Sequence, residues 1–177
     1  AWRNVERAIA NLKATQVLAP RSIVDLPPTD LAALIRPAGY FNVKARRLQS
    51  FCRFLEEAGG EGALASLPTG ELRQRLLAVH GIGPETADDV LLYAFDRPVF
   101  VIDAYTRRLL QRLGLASGAE GYEALREGIE RALGPDLPLF NELHALIVHH
   151  AKVACATLPR CAACCLAKEC PMGRLSR

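Results

Sequence analysis

Four of the six cysteines in this chain, Cys155, Cys161, Cys164 and Cys170, fall within sixteen residues in the pattern C-x5-C-x2-C-x5-C. Thiols this close point to a metal rather than to a disulfide knot, because the rest of the chain is a large cysteine-poor body with no secretion signal. Zinc and an iron–sulfur cluster both accept four thiolates, and spacing alone does not choose between them. The C-x2-C spacing selects Cys164 over its neighbour Cys165. Cys52, inside the apolar run "LQSFCRFL", reads as core. A second chemical signal is "HGIGPETADDV", residues 80–90, where Gly81, Ile82 and Gly83 precede a helical pattern that opens at Pro84 and carries Glu85, Thr86, Asp88 and Asp89. Glycines let backbone N–H groups approach an anion, and the positive end of the following helix favours the same charge. A plain tight turn would have the same sequence. The third signal is Asp103 in "VIDAYTRR": its carboxylate is placed either to cap a helix or to do acid–base and electrostatic work.

These residues need a scaffold, and helical periodicity dominates the chain. The pattern predicts a nearly all-α fold with helices over 1–14, 20–25, 29–36, 42–58, 61–66, 69–79, 84–95, 103–114, 119–132 and 138–154, and a short turn or two near 166–172. Asp30, Asn42, Thr69 and Asp103 stand where N-caps belong, and Gly39, Gly59 and Gly114 where helices end. Pro98 closes a helical pattern in "DRPVF", so two domains are expected, 1–98 and 99–177. There is no internal repeat.

At 177 residues and half apolar, the chain can bury a sizeable core. A net charge of +3 does not by itself announce nucleic acid, but the charge is uneven: Lys152, Arg160, Lys168, Arg174 and Arg177 face a single acid, Glu169, over the last stretch. No run approaches the roughly 18 apolar residues of a bilayer span, and no signal peptide opens the chain. A soluble, cytoplasmic protein is therefore expected, without a membrane partner. The opening "AWRNVERAIANLK" is already helical, with Trp2, Val5, Ile9 and Leu12 at helical spacing and no cap before them. That pattern suggests that an N-terminal segment is missing upstream.

Taken together, "LLAVHGIGPETADDVLLYAFDRPVFVIDAYTRRLLQRLG", "NELHALIVHHAKVAC" and the cysteine loop resemble the endonuclease III-like helix-hairpin-helix (HhH-GPD) DNA glycosylases over nearly the whole chain. The resemblance implies a two-lobed fold, a helical barrel and a lobe carrying a [4Fe–4S] cluster on Cys155, Cys161, Cys164 and Cys170. The first cysteine spacing is x5 here, where the best-known members have x6. It also implies that the backbone of Gly81, Ile82 and Gly83, with Thr86, binds a DNA phosphate without reading sequence. Lys44 and the neighbouring Arg46 and Arg47 would reach further phosphates, as would Arg160 and Lys168 on the cluster loop.

Asp103 matches the family's catalytic aspartate, which stabilises the oxocarbenium-like sugar or activates water. Glu85 stands where bifunctional members carry a lysine that attacks C1′ through a Schiff base, and a carboxylate cannot form that imine. The combination "G-x-G-x-E-[ST]-A-D" resembles the 3-methyladenine glycosylase branch, as does the opening helix. The implied activity is monofunctional hydrolysis of the N-glycosidic bond of damaged bases, alkylated purines first, by a monomer on double-stranded DNA. Trp2 would supply an aromatic face to the extruded base. Lys152 faces either that pocket or the surface, with the surface favoured; Phe41, Tyr40 and Tyr105 are weaker pocket residues. The alternatives are a glycosylase for oxidised pyrimidines or mismatched thymine, a DNA-binding module without catalysis, and a zinc-bound structural protein.

Overall fold

The computed structural model describes residues 2–175, so Arg177 of the basic tail lies outside the described residues. Among them every regular element is a helix, as the periodicity predicts. The chain forms two compact units that meet in sequence at Gly83 and Pro84. Pro98 thus lies inside the second unit, because the helix before it packs with the helices that follow.

The first unit comprises α1 (Trp2–Ala14), α2 (Pro20–Asp25), α3 (Pro28–Leu34), a 3-10 turn (Arg36–Ala38), α4 (Phe41–Glu57), α5 (Glu61–Ala65) and α6 (Thr69–Leu77). α4 is its centre, buried on Ala45, Gln49 and Cys52 against α2 and α3. Ala8 and Leu12 of α1, Ile23 of α2 and Leu31 and Ala32 of α3 complete the core. Gln49 is buried but satisfied: its Nε2 donates to the carbonyls of Ile23 and Leu26, 3.1 and 2.8 Å away, which the end of α2 leaves without helical partners. Cys52 is a core residue as expected, and burial pushes its thiol up from the usual range.

The second unit comprises α7 (Pro84–Ala94), α8 (Ala104–Arg112), α9 (Tyr122–Leu133), α10 (Leu137–Val153), a 3-10 turn (Cys161–Ala163) and α11 (Pro171–Leu175). Its core is the extended run Val99, Phe100, Val101 and Ile102, buried against Leu92, Leu109, Leu125, Phe140 and Ile147. Phe100 meets Phe140 edge-on with centroids 5.4 Å apart. An extended segment inside a helical unit has no ladder for its amides, so side chains serve instead. Glu130 Oε1 accepts from Phe100 N (2.9 Å), and Tyr122 Oη accepts from Ile102 N (3.4 Å). Asp88, fully buried on α7, lies 4.0 Å from Arg126 Nε of α9, and Arg126 also binds Glu123 and Glu130.

Cap positions differ in three of the four expected places. Asp103 caps α8, but α3, α4 and α6 are preceded by Pro27, Tyr40 and Pro68, which leaves Asp30, Asn42 and Thr69 inside the first turn. Proline at the mouth of α3 and α6 fixes φ and so sets the helix start without a side-chain cap. Tyr40 enters α4 at φ 47°, in the left-handed region. α9 begins at Tyr122 rather than 119, because Glu120 folds back to accept from Ser117 N and Gly118 N (2.8 and 2.9 Å).

Candidate active site

Asp103 is held at the start of α8 by its own cap. Its Oδ1 accepts from Thr106 N at 2.7 Å, and no hydrogen bond among the described residues engages Oδ2. Helical φ/ψ begins at Ala104, so the chain leaves the buried run 99–102 and presents the carboxylate at the helix mouth, where the dipole favours a negative charge. The side chain is about one-seventh exposed (14%), which is open enough to meet a reactant and closed enough to strengthen its field. Oδ2 lies 3.8 Å from Nε2 of His144 on α10, and His144 Nδ1 lies 2.6 Å from the Tyr93 hydroxyl on α7.

Carboxylates crowd this corner of the second unit. Glu85 is pushed above its ordinary range by loss of water and then by Asp103, with Arg107 pulling the other way. Asp89 rises to about 6 through burial and the charges of Glu85, Asp103 and Asp88. Burial lowers His144, opposed by Asp103, and so favours the neutral imidazole. Tyr93 is raised by burial and by Asp89 and Asp103, and keeps its proton. A carboxylate ringed by groups that resist charging is what acid–base and cation-stabilising chemistry needs.

The structure thus brings Asp103 and Glu85 together in the second unit. Of the glycine turn, Gly81 adopts φ 91°, while Gly83 needs no special conformation. A Cβ on Gly81 would lie 2.2 Å from Cγ of Arg47, whose stem packs on the turn; a Cβ on Gly83 would enter open space. Gly81, Gly83 and Thr86 are exposed and Ile82 is half-buried. Lys44 is exposed and its Nζ donates to the carbonyl of Ala38 (2.7 Å), tying α4 to the turn before it. Trp2 is 65% exposed, with its indole N–H on Glu6 (2.7 Å). Lys152 is exposed, as favoured, with Nζ 5.8 Å from the centre of the Tyr105 ring, and Arg108 lies 5.3 Å from the same ring.

The four predicted cysteines line one pocket in the second unit, with Arg112, His150 and apolar side chains between them. Cys165 is exposed and lies outside that pocket. Arg112 organises the approach: it donates to the carbonyls of Cys155, Ala156 and Thr157, and its Nη1 lies 3.2 Å from Cys155 Sγ. Cys170 Sγ donates to the Arg112 carbonyl at 3.1 Å. Gly173 closes the loop where a Cβ would lie 2.7 Å from the Ala167 carbonyl oxygen. Among the described residues, no three His, Cys, Asp or Glu side chains are arranged as ligands of a metal ion. The donor chemistry nonetheless fits a thiolate-bound group: four thiols line one mostly apolar pocket, and a guanidinium is at hand to offset their charge. Arg160 and Lys168 on this loop are exposed; Arg160 reaches the Val153 carbonyl (3.4 Å).

Sequence reasoning missed Tyr93, His144 and Arg112. Two of them left a trace. His144 interrupts the buried stripe Phe140, Ile147, Ala151 of α10 with a polar ring, and Arg108 and Arg112 stand one turn apart on α8, on the side that meets Cys155.

Comparison with known proteins places these features in context. Residues 1–135 match the HhH-GPD superfamily of base excision DNA repair proteins. A provisionally named DNA repair glycosylase of Methanocaldococcus jannaschii is 43% identical over 173 residues, covering 96% of this chain and 79% of that protein. An endonuclease III–DNA complex shares the fold at TM-score 0.76 and 24% identity, over 90% of this chain and 71% of the other. The H. pylori 3-methyladenine DNA glycosylase bound to 1,N6-ethenoadenine superposes at TM-score 0.72 with 27% identity, over 86% and 78% of the two chains.

Proposed function

Because the chain belongs to the HhH-GPD superfamily of base excision repair DNA glycosylases, we propose that it removes damaged bases from double-stranded DNA as a monofunctional enzyme, with alkylated purines as its preferred substrates. The carrying observation is the Asp103 corner. A capped carboxylate with one oxygen outside the cap stands beside Glu85, at the position where an imine-forming enzyme would hold an amine. In this reading Asp103 Oδ2 faces the sugar of an extruded nucleotide, stabilising positive charge at C1′ as the base departs or orienting the water that replaces it. Glu85 contributes no nucleophile, so the product is an abasic site with both strands intact. Borohydride trapping on lesion DNA accordingly yields no covalent adduct.

Trp2 supports an alkylpurine preference, because its exposed indole offers an electron-rich face to a cationic base. The backbone at Gly81, Ile82 and Gly83, with Thr86, holds a phosphate, and Lys44, Arg160 and Lys168 add charge along the strand. Lys152, exposed beside the Tyr105 ring, would meet the extruded base in this reading. Cys155, Cys161, Cys164 and Cys170 hold a [4Fe–4S] cluster that, when bound, supplies a covalent cross-link for their loop and so fixes Arg160 and Lys168. The protein acts as a monomer in the compartment that holds the DNA.

The test is direct. The chain, carrying its natural flanking residues, is incubated with methylated duplex DNA; free bases are identified, and strand breaks are compared with and without alkali. Release of 3-methyladenine or 7-methylguanine, with breaks only after alkali, supports the reading. Breaks without alkali would replace it with a bifunctional, endonuclease III-like activity, and release confined to oxidised or mismatched bases would move the substrate class.

A further inference from the structure

Asp103 is fixed at one oxygen only by its cap; the side chain nearest its other oxygen, His144, lies 41 residues further along the chain on α10. His144 is more than nine-tenths buried, its ring edge-on to Phe100 (6.3 Å, 83°), and its Nε2 has no hydrogen-bond partner. That orphaned nitrogen is the atom aimed at Asp103 Oδ2, 3.8 Å away. The opposite nitrogen is 2.6 Å from the Tyr93 hydroxyl.

The proton positions follow from this geometry. A neutral imidazole has a single N–H. If it sat on Nδ1, the Nε2 lone pair would face the oxygen lone pairs of Asp103 in a poorly hydrated corner. With the tyrosine as donor to Nδ1, the N–H sits on Nε2 and points at Oδ2, so every group has a complement. Shortening 3.8 Å to a hydrogen bond takes a side-chain movement of about 1 Å, and such contacts tighten when substrate excludes water.

We propose that Tyr93 and His144 form a positioning relay for Asp103, in which the tyrosine sets the histidine tautomer and the histidine N–H fixes the second oxygen of the carboxylate. The proposal rests on the reading of Asp103 as the catalytic carboxylate. Neither relay residue touches DNA in this scheme; both act through the direction in which Oδ2 points. Thr106 N and His144 Nε2 then hold the two oxygens from different elements, so the plane of the carboxylate is set by the packing of α10 against α7 and α8.

Two measurements test it. The first needs no activity: the ring nitrogens of His144 are observed by 15N NMR in the free protein at pH 7. The relay expects a protonated Nε2 and an unprotonated Nδ1, and Tyr93→Phe lowers the population of that tautomer. A protonated Nδ1, or a tautomer indifferent to Tyr93→Phe, overturns the relay whatever the enzyme does. The second is single-turnover base release with DNA affinity measured alongside. His144→Leu lowers the rate by about 100-fold at unchanged lesion-DNA affinity, the size expected of a misaimed catalytic group. His144→Gln, whose amide N–H lies near the position of Nε2–H, restores most of the rate. Leucine and glutamine variants of equal rate would overturn the relay as a source of catalysis. A wild-type protein that releases no base would remove the glycosylase reading instead, and the NMR result would still decide whether the relay exists.

Discussion

At the residue scale, Asp103 caps α8 and, in the proposed reading, serves catalysis as well; the two roles separate by experiment. Asparagine caps a helix about as well as aspartate, so Asp103→Asn keeps the bond to Thr106 N and changes unfolding stability by less than about 0.5 kcal/mol. The same change removes the charge, and base release falls by at least about 100-fold while DNA binding persists. Urea unfolding beside a glycosylase assay checks both halves. Asp89 offers the complementary case. Its folded-state pKa is raised from 3.8 to about 6, so the fold favours the protonated form and stability declines as pH rises from about 4 to about 6. Asp89→Asn removes that loss. Two pKa units correspond to nearly 3 kcal/mol, but the side chain is partly exposed and screening leaves about 1 kcal/mol. The variant is thus more stable than wild type at pH 7.5 by that amount and close to equal at pH 4, as parallel denaturant titrations will show.

At the element scale, the glycine turn and the run 99–102 carry the argument. Gly81 and Gly83 look alike in sequence, yet only Gly81 has positive φ and a side chain packed on it. Gly81→Ala forces φ 91° on an L-residue and drives a methyl into the Arg47 stem, costing about 1–3 kcal/mol. Gly83→Ala has room and leaves the melting temperature nearly unchanged. If the backbone there meets a phosphate, the added methyl still weakens binding to any duplex, lesion or not, without altering base preference. Thermal melts paired with fluorescence anisotropy separate the two effects. The extended run shows how a helical unit tolerates irregular backbone: Glu130 and Tyr122 take the amides that no ladder serves. The same run delivers Asp103 to its cap, so the geometry of the candidate site is inherited from core packing upstream of it.

At the scale of the whole molecule, the cysteine loop ties distant parts of the second unit together. Arg112 of α8 grips the carbonyls of residues 155–157, and Cys170 returns a bond to the Arg112 carbonyl, so the loop is fastened to α8 at both ends. Cys164→Ser should lose iron and acid-labile sulfide and turn a brown protein colourless, and should weaken DNA binding through the freed loop. Iron analysis with a binding isotherm checks this, and zinc in place of iron in the wild type would overturn the cluster assignment. The sequence by itself determined the helical class, the cysteine quartet, the capped Asp103 and the glycine turn at 81–83, because each depends on short-range rules of period, spacing and backbone freedom. It placed the caps of α3, α4 and α6 less well, since proline and a left-handed tyrosine started those helices without the side-chain signal. Only the tertiary structure decided what surrounds Asp103. Tyr93 and His144 stand 51 residues apart, and His144 reads in sequence as a blemish on an apolar stripe. Their meeting with Asp103, and the rise of Asp89, come from burial and from charges brought together by packing, which the order of residues along the chain does not record.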